Sequence, residues 1–237
     1  FTSGSDTITI NGAGGNENIN GPNVTSTISA GAGDDTVVGG SANDIINGGD
    51  GGDNITGGNG NDTINSGGGA NTINGGRGSD VINLNVTSEI DIIKLQGSSS
   101  ASYNGDVINN FEIGNDLIDM ISNNARMNGS STSSFNSSAT IDNNTAFIRE
   151  GTDISQGASA SLAQVTANIN AGTFDNTGGT NDRIYVAWDN GSNSYIGLIT
   201  SDQNDDGFSG DSLALICTLS GVSDCTTLTA ANFSDFS

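Results

Sequence analysis

Residues 48–83 read GGDGGDNIT, GGNGNDTIN, SGGGANTIN and GGRGSDVIN. These are four consecutive blocks of nine, with glycines in front, Asp or Asn at position 6 and Ile at position 8. The same frame runs upstream through GGSANDIIN, AGAGDDTVV, GPNVTSTIS and GAGGNENIN. Ile19, Ile28, Val37, Ile46, Ile55, Ile64, Ile73 and Ile82 therefore stand nine residues apart from Gly12 to Asn83 without a gap. A further block, FTSGSDTIT, precedes them after a two-residue insertion, Ile10 and Asn11. Self-similarity at a fixed period is the signature of a stacked architecture, in which each unit buries its apolar side against its neighbours.

The chemistry of the block predicts its shape. Glycine at positions 1, 2 and 4 allows a tight turn through conformations closed to other residues. Positions 7 to 9 form a very short strand whose position 8 points inward while its neighbours point outward. Two blocks then make one turn of a flattened coil, and loops 18 residues apart stack on the same edge. One edge carries Glu17, Asp35, Asp53 and Asn71 at position 6, and the other carries Ser26, Asp44, Asp62 and Asp80.

Three blocks fit GGxGxDxUx completely, where U is a large aliphatic residue. The chain here resembles the RTX family of calcium-binding nonapeptide repeats, which implies an all-β, right-handed parallel β-roll and several Ca2+ ions. In this reading the carboxylates of Asp35, Asp44, Asp53, Asp62 and Asp80 converge with glycine carbonyls of stacked loops. Those glycines are Gly31, Gly33, Gly49, Gly51, Gly58, Gly60, Gly76 and Gly78. The expected sites lie between Asp35 and Asp53, Asp44 and Asp62, and Asp62 and Asp80. Glu17 and Asn71 are weaker candidate ligands, and Ser26, in the block with Pro22, is expected to support none. The alternative is a calcium-free stack held by Asn ladders, in which Asn20, Asn47, Asn65, Asn74 and Asn83 at position 9 would take part.

One inward Ile per nine ordered residues does not offset the conformational entropy of ordering them, and stacked carboxylates add repulsion. Divalent cations reverse that sign, so the expectation is a chain largely unfolded without calcium and folded at roughly millimolar levels.

The register fails at Leu84. The following stretch, 85–97, reads as a strand with outward charges. DVINNFEIGNDLIDM (106–120) then resembles the segment that closes the roll in many RTX proteins. The resemblance implies that its apolar residues plug the open end, with Asp106, Asp116 and Asp119 as candidate ligands or as ordinary turn carboxylates. This divides the chain into a roll (1–83), a closing segment (84–120) and a β-rich assembly and secretion region (121–237). In that last region the pattern predicts one strand at 145–149, one amphipathic helix at 160–171, and strands at 183–188, 194–200 and 213–219. Between the last two strands, Asp202, Asn204, Asp206 and Asp211 resemble the start of an EF-hand loop without its closing Glu. A bound ion and an Asp-rich hairpin turn both fit. The final residues resemble the C-termini of surface-layer and other type I-secreted proteins. This implies that Ser237 lies near the natural terminus and that an export signal resides there. The chain begins inside a repeat, so upstream sequence is expected.

Composition limits the function. With 27 acidic residues against five basic ones and a net charge of −22, no basic patch can form for nucleic acid or an anionic membrane. No apolar run is long enough to span a membrane. The absence of His removes His-based zinc sites and Ser-His-Asp or Cys-His nucleophile systems. The 23 Asp residues sit mostly in turns, where short carboxylates suit hard, oxygen-seeking ions. Cys217 and Cys225 could close a hairpin by a disulfide or remain buried thiols. The expectation is a non-enzymatic, calcium-binding structural protein of the surface-layer type, secreted by type I machinery to a Gram-negative cell surface and self-associating there. The first alternative is a calcium-dependent export and folding module of a larger protease, toxin, lipase or epimerase. The second is an adhesin or glycan-binding module, with Trp188 and Tyr185 as its aromatic platform. Ice binding fits less well, because positions 3 and 5 of the blocks are mixed rather than a regular Thr ladder.

Overall fold

The computed structural model describes residues 7–95, 105–119, 147–149, 183–189, 192–200, 212–223, 228 and 232–233. Short strands follow one another at the repeat period: β1 (Ile8–Asn11), β2 (Asn18–Asn20), β3 (Ser26–Ala32), β4 (Thr36–Gly40), β5 (Ile45–Asp50), β6 (Asn54–Asn59), β7 (Thr63–Gly68), β8 (Thr72–Arg77) and β9 (Val81–Asn83). The chain alternates between two parallel sheets, with odd strands on one face and even strands on the other. Every pairing joins residues 18 apart, as in Ile28↔Ile46 and Ile55↔Ile73. That register places each inward Ile over the next. The interior column Ile28, Ile46, Ile55, Ile64, Ile73 and Ile82 is 0% exposed, so the core is a stack of single β-branched side chains. The fold is an all-β parallel roll, as the period predicts.

The coil continues past Asn83. Strands β10 (Ile92–Lys94), β11 (Asp106–Asn109) and β12 (Leu117–Asp119) add to the even, odd and even faces respectively. Ile93, Ile108 and Ile118 prolong the buried column. The segment expected to plug the end is therefore a further turn of the coil. Of the stretch 85–97, expected as a strand, residues 85–95 are described, and they form a strand only at β10. Leu84 is buried and its N–H donates to Asn109 O, after which the chain swings outward. That outward loop is pinned by Thr87 N–H donating to Glu112 Oε2 (3.1 Å) and by Asn115 Nδ2 donating to Glu89 O (3.0 Å).

Beyond the coil lie β13 (Phe147–Arg149), β14 (Arg183–Asp189), β15 (Asn193–Thr200) and β16 (Ser212–Ser220). β14, β15 and β16 form an antiparallel meander, with a register shift at Ile196/Gly197. β16 pairs in parallel with β11, so the odd face becomes a 10-stranded sheet while the even face has six strands. Phe233 bridges Ile118 on the even face, and Leu219, Leu228 and Phe233 extend the buried core over the end of the roll. The predicted strands at 145–149, 183–188, 194–200 and 213–219 thus correspond to β13 to β16. The predicted helix at 160–171 lies outside the described residues, among which no α-helix occurs and no helix is long and apolar enough to cross a membrane.

Candidate metal centres

Each position-6 side chain sits at the head of its strand, where the loop turns inward. The geometry brings these groups into two rows. On one edge Glu17 N–H donates to Asp35 Oδ1 (2.8 Å), Asp35 N–H to Asp53 Oδ1 (2.9 Å) and Asp53 N–H to Asn71 Oδ1 (2.9 Å). The row continues with Asn71 N–H to Asp91 Oδ1 (2.9 Å) and Asp91 N–H to Asp116 Oδ1 (3.1 Å). On the other edge Ser26, Asp44, Asp62, Asp80 and Asp106 are linked in the same way at 2.7–2.9 Å. Every Asp carboxylate in these rows thus spends one oxygen on the backbone of the preceding turn.

The second oxygen is the informative one. Oδ2 of Asp35, Asp44, Asp53, Asp62 and Asp80 is buried and has no hydrogen-bond partner among the described residues. Each of these side chains is only 1–2% exposed. A buried carboxylate oxygen left unpaired carries a large desolvation penalty, which a cation removes. Burial pushes Asp62 up to about 7. The Asp44 N–H opposes this rise, while the neighbouring Asp80 and Asp44 carboxylates add to it. Burial likewise raises Asp53 and Asp80 and takes Asp106 up to about 7.

The predicted carbonyl donors come from the same loops. Gly31, Gly33, Gly49, Gly51, Gly58, Gly60, Gly76 and Gly78 all have positive φ, between 105° and 134°. At Gly58 (φ 119°) an added Cβ would run into Gly40 O of the preceding turn, and the carbonyls of Gly31, Gly33, Gly49 and Gly51 face the equivalent glycine of the next turn in the same way. At position 1 of the Asp62 block a Cβ on Gly57 would meet Asp62 Oδ2, whereas the Asp35 block carries Ala30 there. No group of three or more His, Cys, Asp or Glu side chains occurs among the described residues. An ion here would therefore combine one or two carboxylates with backbone carbonyls. Oxygen-only donors of that kind fit calcium rather than a softer metal.

The remaining candidates fall in three groups. Glu17 turns back onto its own loop, with Ala13 N–H donating to Oε2 at 3.4 Å. Asn71 replaces an Asp in its row, and its Nδ2 donates to Gly69 O and to Asp91 Oδ1, both at 3.0 Å. Asp116 ends that row with both oxygens engaged, Oδ2 accepting from Glu112 N–H at 2.8 Å, and burial raises its pKa. Asp119 lies opposite Lys94 between β12 and β10. Asp202, Asn204, Asp206 and Asp211 lie outside the described residues. Cys217 is a free thiol, fully buried in β16 and raised by burial, so the disulfide is not formed here. Cys225 lies outside the described residues.

Sequence reading missed Asp91. It is 2% exposed, continues the row 20 residues after Asn71, and is raised by burial to about 6. The signal was present: Asp91-Ile-Ile, Asp106-Val-Ile and Asp116-Leu-Ile repeat the position 6 to 8 triplet of the regular blocks.

Comparison with known proteins agrees with this geometry. Residues 26–55 and 47–82 match the RTX calcium-binding nonapeptide repeat model. No curated protein matches the chain. A solved structure, the solution structure of the AlgE6R3 subunit of the Azotobacter vinelandii mannuronan C5-epimerase, aligns over 99% of this chain and 86% of that one at 17% identity. Its TM-score of 0.23 is too low to carry any argument. The turns that present Asp35, Asp44, Asp53, Asp62 and Asp80 lie within residues 26–82, the stretch that matches the RTX calcium-binding nonapeptide repeat model.

Proposed function

We propose that this chain is a secreted, non-enzymatic structural protein of the surface-layer type, which folds on calcium outside the cell and self-associates there. The observation that carries the calcium part is the set of five buried Oδ2 atoms, two on one edge and three on the other, with no partner among the described residues. They make the ion a component of the fold rather than a decoration. Low calcium during export through type I machinery and high calcium outside would couple delivery to folding. The assembly part is supported by the continuation of the roll into β14–β16, which gives one ten-stranded sheet. Exposed carboxylates such as Asp34 and Asp50 on the roll edge could bridge neighbouring copies through further ions.

One observation favours a second reading. The C-terminal end of the roll is already covered by β16 and Phe233, so copies cannot stack through that end. A compact monomer serving as the calcium-dependent folding and export module of a larger exoprotein would look the same. Light scattering during a calcium titration separates the two. Growth from an expanded monomer into large ordered assemblies supports the surface-layer reading. A compact monomer that stays monomeric at several millimolar calcium supports the module. No response to calcium excludes both.

A further inference from the structure

One of the two acid rows is interrupted by an amide. In the row Glu17–Asp35–Asp53–Asn71–Asp91–Asp116, the fourth member is an amide instead of a carboxylate. Asn71 is 1% exposed, and its Oδ1 accepts from Asp53 N–H, as an Asp Oδ1 does in the other turns. That bond fixes which end of the amide faces the ladder, so Nδ2 occupies the place held elsewhere by the unpaired Oδ2. Nδ2 donates there to two acceptors, the position-4 carbonyl of its own loop, Gly69 O, and the next carboxylate, Asp91 Oδ1, both at 3.0 Å. An Asp in the same pose would set three oxygens against one another with no proton between them. Asp35, Asp44, Asp53, Asp62 and Asp80 each hold such an oxygen without a donor among the described residues.

We infer that the Asn71 amide is a built-in substitute for a cation, closing its loop at residues 66–74 without calcium and leaving one gap in the ion row of that edge. The two N–H groups supply the positive ends that an ion supplies elsewhere, and they do so at any calcium concentration. The loop retains Gly67 and Gly69 at positions 2 and 4 with positive φ, 88° and 94°, so the glycine pattern of its neighbours is kept. Ser66 stands at position 1, but Ala30 holds the same place beside Asp35, which shows that a Cβ there is compatible with an aspartate. This inference rests on the calcium reading of the other loops.

The test counts calcium bound to the full chain by native mass spectrometry at saturating calcium, with circular dichroism confirming the fold. Asn71→Asp is expected to bind one ion more than wild type and to need more calcium than wild type to reach half its folded signal. The reciprocal change, Asp53→Asn, places an amide beside Gly51 and is expected to bind one ion fewer. Should Asn71→Asp fail to fold, Ser66→Gly/Asn71→Asp relieves position 1 and answers the same question. Unchanged counts in the folded variants, with wild type binding calcium, overturn the inference while leaving the calcium reading intact. A wild-type chain that binds no calcium removes both.

Discussion

At Asp62 one oxygen accepts the Asp44 N–H at 2.8 Å while the other is buried without a donor among the described residues, and burial holds the group near a pKa of about 7. An unfolded Asp titrates near 4, about three units lower. A folded-state pKa raised in this way means that proton uptake favours folding. The contribution is complete below about pH 4 and is lost as pH rises through about 7. In chelator, the chain is therefore expected to hold more β structure at pH 4.5 than at pH 8. Saturating calcium should remove or reverse that difference, because protons then compete with the ion. Circular dichroism at the two pH values, with and without calcium, tests this. Asp62→Asn should weaken the dependence in chelator, an effect that the general fall in net charge would not produce. Backbone constraint is equally local. Gly58→Ala, at φ 119° and facing Gly40 O, is expected to lower stability in calcium by on the order of 1–3 kcal/mol or more, read from denaturant unfolding.

The strands carry a second ladder that does not depend on ions. On the outer side of the odd face, Asn65 Nδ2 donates to Asn47 Oδ1 (2.7 Å), Asn83 Nδ2 to Asn65 Oδ1 (2.9 Å) and Asn109 Nδ2 to Asn83 Oδ1 (2.8 Å). The even face has no counterpart among the described residues, because Val38 and Thr56 separate Asn20 from Asn74 in the pairing. Asn65→Ala breaks two such bonds and is expected to cost about 1–3 kcal/mol. Asn74→Ala should cost clearly less, since Asn74 Oδ1 is already unpaired among the described residues. Paired denaturant melts in calcium decide this. An equal loss would mean that the ladder contributes nothing. So the Asn-ladder alternative and the calcium reading are features of the same coil, on different surfaces.

This scale also shows what could be read in advance. The regular blocks announced register, core and acid rows through Ile and Asp at fixed spacing. The later turns were hidden because loops of unequal length separate their Asp-x-Ile triplets, moving Asp91, Asp106 and Asp116 to 20, 26 and 25 residues from their ladder partners. Period searching fails there although the local chemistry is unchanged. The pairing of β11 with β16 joins residues far apart in sequence, and no local pattern encodes it.

For the molecule as a whole, the C-terminal strands protect the roll. Without them β11 presents an unpaired edge beside the buried Ile108 and Ile118. A chain ending at residue 119 is expected to acquire β structure with calcium but to aggregate. The full chain should remain dispersed or form ordered assemblies. Sedimentation and apolar-dye binding distinguish these states, and a soluble, monomeric truncated roll would show that the cover is dispensable.

The loops are tied to one another in both directions along the axis. Position-6 amides reach forward to the next turn's carboxylate, whereas Asp34 N–H, Gly52 N–H, Asn61 N–H and Ser79 N–H reach back to Asn16, Asp34, Asn43 and Asn61. Each regular turn, from β1 to β9, holds 18 residues, which span roughly 60 Å when drawn straight, yet it occupies only the spacing between neighbouring strands. Mechanically the coil is a store of slack. Tension along the chain should release it one turn at a time, in steps of about 60 Å, with calcium setting the force at which each turn yields.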